Sequence, residues 1–344
     1  MKQIAWITGA GKLSGARFVA PFFLSALRTA ARACCDEVVA SDAPAMGEGV
    51  HLVLDASMPL VGREDMERLI EAAKECGGTA IAKGGGACPR CVAGPSGEVR
   101  EVSMAKDALS TVSTPMGAAQ ALAALRRQKC EALLALGVWL VDPAQTYLDP
   151  DVQIGPGTVV HPGCTISGGS VIGGDCTLLP NSRIHASRIG DRTTVENAVI
   201  TDCEVGSDTT VGPFAYLRNG VTVGDRCRIG CFVELKNSAI GNETKISHLT
   251  YVGDSDLGED VNLGCGVVFV NYDGKTKHRS SVGDRAFIGC NVNLISPVRI
   301  GPEAYVAAGS TITDEVPGGA FAIARERQTT KPGWVEERKK KGKL

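Results

Sequence analysis

Side chains that could transfer protons or bind phosphate are concentrated in the second half of the chain. His248 is one of only five histidines, and an imidazole that titrates near neutrality is suited to act as a general base. Arg218 and Lys236 could bind a phosphorylated ligand, because a guanidinium offers planar, forked donors and an ammonium offers a compact positive charge. The other polar candidates in this region are Tyr251, Asn262, Asn271, Tyr272 and Lys277.

Acyl transfer to an amine would use such a set of side chains. A protonated amine is not a nucleophile, so a base has to accept its proton. The oxygen of a thioester gains negative charge during transfer, which a backbone N–H can stabilise. A single histidine is more often structural than catalytic, but His248 is followed closely by Tyr251, Asn262 and the polar segment 271–281. These neighbours favour a catalytic role.

One pattern organises residues 151–315, where an aliphatic side chain recurs every six residues. A period of six matches neither the 3.6 of a helix nor the 2 of a strand. It fits a solenoid of short strands in which three faces form one coil of about 18 residues. The alternative is an ordinary β-sandwich with chance spacing, and three unbroken runs argue against it. The runs are Ile154, Val160, Ile166, Ile172, Leu178 and Ile184; Val211, Leu217, Val223, Ile229 and Leu235; and Val282, Ile288, Leu294, Ile300, Val306 and Ile312.

Glycines and two irregular segments refine this prediction. Glycine follows many of the aliphatic residues, as at Gly230 and Gly289, which suits a corner where a side chain would be crowded or φ is positive. The register is expected to break at the insertion 271–281 and around His248, where residues 247–251 depart from the pattern. Such breaks in a solenoid often carry the functional site.

Outside the repeat, the sequence predicts an α/β region and a long connecting helix. Strands are expected at 4–8, 37–40, 50–54 and 79–82, and a helix at 63–76. The Ala/Leu-rich stretch 116–136 is predicted to be the connecting helix, and the basic C-terminal end is predicted to be solvated and frayed. The expected domains are an α/β domain (1–115), a helix and linker (116–150), the repeat (151–315) and a tail (316–344).

Composition narrows the class of protein. The chain has 344 residues, of which 44% are hydrophobic and 22% charged, as in an ordinary globular protein with room for two domains. A net charge of −2 gives no basic field that would attract nucleic acid. No apolar run approaches the ~20 residues that span a bilayer, and the start of the chain lacks a signal peptide. We therefore expect a cytoplasmic protein with no nucleic-acid or membrane partner.

The thirteen cysteines are expected to remain thiols in a reducing compartment. Cys88 and Cys91 form a lone CxxC without the second pair that a zinc site usually needs, so inert thiols are the default interpretation and metal binding stays the open alternative. The glycine-rich segment 9–15 does not have the spacing of a P-loop, and a simple turn is favoured. Seven cysteines lie in the repeat, where they are expected to serve as small hydrophobic residues: Cys164, Cys176, Cys203, Cys227, Cys231, Cys265 and Cys290.

A hexapeptide solenoid has no deep cleft within one chain. Such prisms associate side by side as trimers, and pockets form between neighbouring prisms. A site in such a pocket takes polar groups from both walls. The sequence therefore predicts a homotrimer with its sites between subunits.

Seven motifs occur in the same order as in a known family, and long ordered motifs are highly specific. They are VGPFAYLR (211–218), FVELKNS (232–238), SHLTYVGD (247–254), VNLG (261–264), NYDG (271–274), AAGSTIT (307–313) and the segment from Gln328 to Trp334. On these residues, the chain from about 137 to 334 closely resembles the C-terminal domain of the bifunctional N-acetylglucosamine-1-phosphate uridyltransferase / glucosamine-1-phosphate N-acetyltransferase family.

The resemblance implies a fold and an activity. The implied fold is a left-handed parallel β-helix of hexapeptide repeats that follows a truncated, nucleotidyltransferase-like α/β region. The implied reaction transfers an acetyl group from the cosubstrate acetyl-CoA to the amine of glucosamine 1-phosphate. The product, N-acetylglucosamine 1-phosphate, would feed the synthesis of UDP-N-acetylglucosamine and of bacterial peptidoglycan.

The resemblance also implies residue roles. His248 matches the catalytic base of the family. The positions that match sugar-phosphate binders are Arg218, Lys236, Tyr251, Asn262 and Lys277. The positions that match acetyl-CoA contacts are Cys265, Asn271, Tyr272, Cys290, Ala308 and Arg325. Cys265 replaces an alanine of the family and Cys290 a serine; the first adds a sulfur and the second weakens a hydrogen bond, so we expect an effect on coenzyme affinity more than on reaction type.

The N-terminal region departs much further from the family, whose uridyltransferase domain is far longer. Ser57 stands where the family has a metal-binding aspartate, and Asp55 precedes it by two residues, a spacing that on a strand would put both side chains on one side, one pleat apart. Met116 stands where the family has an asparagine ligand. Without these ligands Mg²⁺ would have no site. We therefore predict a lost uridyltransferase activity, with Mg²⁺ needed only if that half is active and with a separate uridyltransferase as a possible partner.

Three alternatives stay open at the level of sequence. The chain could be fully bifunctional and also make UDP-N-acetylglucosamine. It could acylate another amino sugar or a sugar nucleotide. It could also be a non-catalytic trimeric scaffold, if Cys265 and Cys290 exclude the coenzyme.

Overall fold

The computed structural model describes residues 2–8, 20–41, 48–83, 89–94, 98–104 and 114–343. The chain divides into two compact units, Met1–Gly220 and Val221–Leu344, and each contains part of the repeat. The glycine-rich segment 9–15 and Cys88 lie outside the described residues, so the predictions made for them have no structural outcome.

The first unit begins with an α/β region built on a six-stranded sheet. Its elements are β1 (Gln3–Thr8), α1 (Ala20–Arg32), β2 (Glu37–Ala40), β3 (Val50–Asp55), α2 (Arg63–Cys76), β4 (Thr79–Ala82), β5 (Arg90–Val92) and β6 (Val99–Val102). The strand order is β2-β1-β3-β5-β4-β6. β5 is antiparallel to both of its neighbours, and the other pairs are parallel. The predicted α/β region is thus confirmed.

Helix α2 follows directly from its sequence. Met66, Leu69 and Ile70 are buried in the core of the α/β region, because residues three and four apart share one face of a helix. The helix ends at Gly77, whose φ of 62° lies in the left-handed region that glycine adopts at low cost. The predicted helix at 63–76 is confirmed, as are the four predicted strands.

The predicted connecting helix is also present, as α3 (Pro115–Ala135). It begins after Thr114, whose hydroxyl accepts a 3.1 Å hydrogen bond from the Gly117 N–H and so satisfies one of the free donors of the first turn. Three of its side chains belong to the core of the α/β region: Ala118, Ala121 and Leu125.

The remainder of the first unit is a three-faced parallel β-helix. Its first face contains β7 (Trp139–Leu140), β10 (Val159–Val160), β13 (Thr177–Leu178), β16 (Thr194–Val195) and β19 (Thr210–Val211). Its second face contains β8 (Tyr147–Leu148), β11 (Thr165–Ser167), β14 (Arg183–His185), β17 (Val199–Thr201) and β20 (Tyr216–Arg218). Its third face contains β9 (Gln153–Ile154), β12 (Val171–Ile172), β15 (Arg188–Ile189) and β18 (Glu204–Val205). A 3₁₀ turn, Pro143–Gln145, links β7 to β8.

The second unit has the same three faces. The first contains β22 (Arg228–Cys231), β25 (Lys245–His248), β28 (Asn262–Leu263), β31 (Phe287–Ile288), β34 (Tyr305–Val306) and β36 (Phe321–Ala322). The second contains β23 (Glu234–Lys236), β26 (Tyr251–Gly253), β29 (Val268–Val270), β32 (Asn293–Ile295) and β35 (Thr311–Ile312). The third contains β21 (Thr222–Val223), β24 (Ala239–Ile240), β27 (Ser255–Leu257), β30 (Ser280–Val282) and β33 (Arg299–Ile300). Helix α4 (Trp334–Lys340) follows, so this part of the basic end is helical and not frayed.

All residues of the three runs with six-residue spacing are buried, with at most 6% of their surface exposed. The predicted fold class, a parallel β-helix of hexapeptide repeats after an α/β region, is confirmed. In these runs each strand contributes one aliphatic side chain to the core, as the spacing indicates.

The register differs from prediction near His248. Ile246 and Val252 are both buried and remain six residues apart, so the expected break around His248 is wrong. The step is shortened to five residues on either side of this pair, from Leu235 to Ile240 and from Val252 to Leu257. The one large break is the insertion 271–281, as predicted.

The glycines after the aliphatic residues are explained by crowding. A Cβ on Gly230 would lie 2.0 Å from the Ser247 carbonyl oxygen, and a Cβ on Gly289 would lie 2.4 Å from the Ala308 nitrogen. Neither glycine has a positive φ. Of the two reasons that the sequence allows, close approach of successive coils is therefore the operative one.

Candidate functional site

The polar candidates of the second unit lie at the ends of strands on the first and second faces. β25 ends at His248, β26 begins at Tyr251, and β23 ends at Lys236. β22 pairs with β25, and β23 pairs with β26, so that Lys236 lies opposite Gly253. The predicted base and the predicted phosphate-binding lysine are thus carried by two successive coils.

Asp254 is the centre of a buried polar cluster that also includes Lys236, Asn237 and Asn271. Lys236 Nζ lies 3.4 Å from Asp254 Oδ2, and Asn237 Nδ2 donates to Oδ1 at 2.6 Å. Asn271 Nδ2 donates to Oδ2 and lies 3.4 Å from the Tyr251 hydroxyl. Lys236, Asp254 and Asn271 are each at most 8% exposed, so each needs the partners that it has here.

Two opposing effects set the protonation state of Asp254. Burial raises the pKa of its carboxyl, because a buried charge loses hydration. Hydrogen bonds from Asn237 and Asn271, together with the Lys236 ammonium, act in the opposite direction and hold the pKa below its usual range. Asp254 is therefore a carboxylate at neutral pH and fixes the position of Lys236.

The insertion carries Lys277 on an ordered loop. Asp273 accepts hydrogen bonds at 2.7 Å from the backbone N–H groups of Lys275 and Thr276, and its Oδ2 lies 2.7 Å from His278 Nε2. These contacts, led by the Thr276 N–H, lower the pKa of Asp273. A bridge between Tyr272 and Lys277 closes the loop.

The side chains of Lys277 and Lys236 interact. This contact is the main cause of the raised pKa of Lys236; burial opposes the rise, and the Asp254 carboxylate adds to it. Lys277 itself is exposed and Lys236 is buried. Two amines from different segments converge here, next to a single buried carboxylate, which favours the binding of an anion.

His248 is exposed at the corner that follows the first face. Its Nδ1 lies 3.1 Å from Cys231 Sγ on the preceding coil. Its carbonyl accepts a 2.7 Å hydrogen bond from the Thr250 hydroxyl, which fixes the backbone immediately after the imidazole.

Three of the six predicted coenzyme positions lie in a column at the same corner as His248. The Gly266 N–H donates to the His248 carbonyl at 3.3 Å, the Asn291 N–H to the Cys265 carbonyl at 2.8 Å, and the Gly309 N–H to the Cys290 carbonyl at 2.8 Å. Successive coils therefore place four residues at equivalent positions: His248, Cys265, Cys290 and Ala308.

Not all repeat cysteines are core residues, contrary to prediction. Cys164, Cys176, Cys203 and Cys227 are buried, whereas Cys231 and Cys265 are half-buried and Cys290 is exposed. The difference follows from position, because these last three thiols lie at the corner after the first face.

The other predicted site residues lie around these groups. Asn262 is half-buried at the start of β28, and Tyr272 is exposed on the insertion. Arg325 approaches the corner column, since its Cδ would lie 3.5 Å from a Cβ on Gly309. Arg218 belongs to the first unit, where it ends β20 and its guanidinium lies 5.5 Å from the centre of the Tyr216 ring.

Sequence reasoning missed two residues, Asp254 and Cys231. Asp254 is part of the motif at 247–254, and it follows Lys236 by 18 residues, the length of a regular coil, which could have signalled the pair. In the structure the residue opposite Lys236 is Gly253, and Asp254 comes next. Cys231 precedes His248 by 17 residues and was grouped with the hydrophobic cysteines. This coil contains 17 residues and not 18, because the step from Leu235 to Ile240 is shortened to five residues, and the six-residue periodicity does not reveal that.

In the α/β region, Asp55 is the last residue of β3 and Ser57 follows in a turn. Asp55 Oδ1 accepts hydrogen bonds from the Ser57 N–H at 2.9 Å and from its hydroxyl at 2.7 Å. The prediction that both side chains lie one pleat apart on a strand is therefore wrong. Met116 is 69% exposed on α3.

Among the described residues, no group of three or more His, Cys, Asp or Glu could hold a metal ion. No helix in the described ranges is both long and apolar enough to cross a bilayer.

The fold defines the class of protein as a parallel β-helix of hexapeptide repeats. Residues 202–237 and 279–314 match the family model described as bacterial transferase hexapeptide (six repeats). The chain is 52% identical over 202 residues to the bifunctional protein GlmU of Clostridium acetobutylicum and 57% identical over 199 residues to that of Acetivibrio thermocellus.

These alignments cover 59% and 58% of this chain but only 44% and 43% of the relatives. The chain thus spans less than half the length of the curated relatives that it matches. Among solved structures, the UDP-N-acetylglucosamine acyltransferase of Francisella novicida is 20% identical, with a TM-score of 0.40, and covers 58% of this chain and 72% of its own.

Proposed function

We propose that this chain transfers the acetyl group of acetyl-CoA to the amine of glucosamine 1-phosphate. The product, N-acetylglucosamine 1-phosphate, would enter the synthesis of UDP-N-acetylglucosamine and of cell-wall precursors. The observation that carries the proposal is the placement of an exposed imidazole, His248, and a buried, ion-paired lysine, Lys236, on two successive coils. The identity to two GlmU proteins over the corresponding stretch supports it.

In this proposal the cations hold the acceptor through its phosphate. Lys236 is fixed by Asp254, and Lys277 approaches from the insertion. Tyr251 and Asn262 lie on β26 and β28, where their polar groups could orient the sugar. Arg218 keeps the phosphate-binding role that the sequence resemblance implies. Because Asp254 already holds Lys236 in place, this side chain loses little conformational entropy when the phosphate binds.

The imidazole of His248 then acts on the amine. It accepts the proton that the amine loses as the nitrogen attacks the thioester carbon, and the coenzyme leaves as its thiol. The coenzyme is assigned to the corner column of Cys265, Cys290 and Ala308, with Arg325 beside it. Asn271 and Tyr272 keep the coenzyme-binding role that the sequence resemblance implies. An exposed edge of this kind is accessible to a long cosubstrate.

We further propose that the α/β region has lost uridyl transfer. Its Asp55 carboxylate accepts hydrogen bonds from the Ser57 N–H and hydroxyl, and Ser57 stands where the family has a metal-binding aspartate. The α/β region is then a scaffold or a surface for a separate uridyltransferase. The chain is proposed to act in the cytoplasm as a homotrimer, with the domain boundaries at 115, 150 and 315.

The test measures thiol release from acetyl-CoA, with and without glucosamine 1-phosphate. We expect acceptor-dependent release that falls by about 10²–10⁴-fold in His248→Ala, the usual contribution of a general base. No turnover by the wild type, or no loss in His248→Ala, would contradict the proposal. Pyrophosphate release from UTP and N-acetylglucosamine 1-phosphate with Mg²⁺ tests the uridyl half, and we expect none.

A further inference from the structure

We propose that Cys231 is a positioning residue that fixes the tautomer and the orientation of the His248 imidazole and leaves Nε2 as the proton acceptor. The catalytic consequence rests on the proposed function, whereas the tautomer itself is a property of the folded chain and can be measured without turnover.

The fold brings the two side chains together through the backbone. β22 and β25 each contain four residues, whereas the other strands of this face in the second unit contain two. The additional residues extend the pairing as far as Cys231 and His248, which lie opposite each other. Each is followed by a residue in the left-handed region, Phe232 with φ 55° and Leu249 with φ 47°, and this residue turns the chain around the corner.

The two coils are also in close contact at this point. The Leu249 N–H donates to the Cys231 carbonyl at 3.0 Å. Gly230 leaves no room for a side chain, because its Cβ would lie 2.0 Å from the Ser247 carbonyl oxygen. The strand register therefore places Cys231 opposite His248, and the Cys231 Sγ and His248 Nδ1 atoms lie 3.1 Å apart.

Two proton arrangements are compatible with this contact. A neutral imidazole has one nitrogen that donates and one that accepts. If the thiol donated to Nδ1, Nε2 would carry the ring proton and could not accept another. If Nδ1–H donates to Sγ, Nε2 has a lone pair and can act as the base.

A second acceptor for the thiol proton favours the arrangement in which Nδ1–H donates to Sγ. Cys231 Sγ lies 3.8 Å from the Ser247 carbonyl oxygen, within the range of a sulfur hydrogen bond. The S–H can therefore donate to Ser247 while Sγ accepts from His248 Nδ1–H. This relay uses each donor once and orients the ring with Nε2 directed away from the preceding coil.

A matched pair exists in the first unit. Ser167 Oγ lies 2.9 Å from His185 Nδ1, and the two residues are paired on β11 and β14. This pair has the same contact on a different face and has no role in the proposed site. Ser167→Ala is therefore the control for the loss of a hydroxyl or thiol beside a histidine.

The first measurement is the ¹⁵N chemical shift of the His248 ring in ¹⁵N-histidine-labelled full-length protein, assigned with His248→Gln, at a pH where the ring is neutral. We expect a protonated Nδ1 and an unprotonated Nε2 in the wild type. The same tautomer should persist in Cys231→Ser, and the two tautomers should average in Cys231→Ala. A protonated Nε2 in the wild type, or identical ring shifts in the wild type and Cys231→Ala, would overturn the inference.

The second measurement is the rate of acetyl transfer. In Cys231→Ala we expect kcat to fall roughly three- to tenfold, the factor that one neutral hydrogen bond supports, with both KM values nearly unchanged. Cys231→Ser should recover most of the loss, and Ser167→Ala should match the wild type. A merely structural role would not be rescued by serine in this way.

A mass measurement separates positioning from covalent catalysis. After incubation with acetyl-CoA and no acceptor, the mass of the chain should stay unchanged, and an acetyl group on Cys231 would overturn the inference. If the wild type releases no thiol with glucosamine 1-phosphate, the proposed function fails, and the ring shifts still decide the role of Cys231.

Discussion

At the scale of single residues, Asp254 shows how the polar cluster is stabilised. It receives hydrogen bonds from Asn237 and Asn271 and an ion pair from Lys236, all in a buried setting. A buried ion pair contributes little net stability by itself, but the removal of one partner leaves the other charge unpaired and is costly. The carboxylate is thus required in order to keep a lysine at this position.

We predict that Asp254→Asn lowers the free energy of unfolding by about 1–3 kcal/mol, because Lys236 and Asn271 lose a charged acceptor. Urea-induced unfolding measures this change. The matched control is Asp256→Asn, two residues away, whose side chain pairs with Arg279 but is 53% exposed. Exposed pairs contribute about 0–1 kcal/mol, so an equal effect of the two variants would contradict this account.

The stability that Asp254 contributes should depend on pH in a defined direction. Its pKa in the folded chain is below the usual value, so the folded state binds fewer protons than the unfolded state in this range. The contribution is fully present above the unfolded pKa of about 3.9 and is lost as the pH falls through the folded pKa. We therefore expect the stability difference between the wild type and Asp254→Asn to be constant above about pH 5 and to shrink below about pH 4. A difference that grows on acidification would refute it.

At the scale of elements, the insertion 271–281 places Lys277, a candidate phosphate-binding residue, outside the core of the repeat. Its shape is held by Asp273, which accepts hydrogen bonds from two backbone N–H groups and lies against His278. Lys277 is presented by this loop, so the loop geometry determines where the second cation lies.

We predict that Asp273→Ala loosens the loop without unfolding the β-helix. Hydrogen–deuterium exchange of the loop should accelerate, most of all at Lys275 and Thr276, whose N–H groups lose their acceptor. The KM for glucosamine 1-phosphate should rise severalfold while kcat changes little. Lys275→Ala is the control, since its side chain is exposed and its backbone contact to Asp273 is retained. Unchanged exchange in Asp273→Ala would show that the loop is held by other contacts.

The periodicity of six predicted the buried position of every strand in the three runs, because one inward side chain per face is a local property of each hexapeptide. It did not predict the shortened steps around Ile240 and Leu257, since a corner can lose a residue without changing the inward pattern of the next strand. The step from Leu235 to Ile240 decides that Cys231 lies opposite His248.

At the scale of the whole molecule, the proposed trimer would complete the site. A β-helix exposes flat faces and corners, and a groove with two walls requires a second prism. The corner column of His248, Cys265 and Cys290 is exposed or half-exposed, as expected for one wall of such a groove.

We predict a particle of three times the 35.8 kDa chain mass, measured by sedimentation equilibrium across the concentration range of the activity assay. Activity should fall in parallel with the trimer when the protein is diluted below the dissociation constant. A folded monomer with full acetyl transfer would contradict a site shared between subunits.

The sequence by itself determined the β-helix, its inward side chains and the identity of the candidate base, because these depend on local spacing and on motifs that are continuous in the chain. Only the tertiary structure decided that Asp254 holds Lys236 and that Cys231 contacts His248. It also decided that the thiols of Cys231, Cys265 and Cys290 lie at a corner and not in the core. The physical reason is that these contacts join residues one coil apart, and the partner of a residue changes whenever a corner gains or loses one residue.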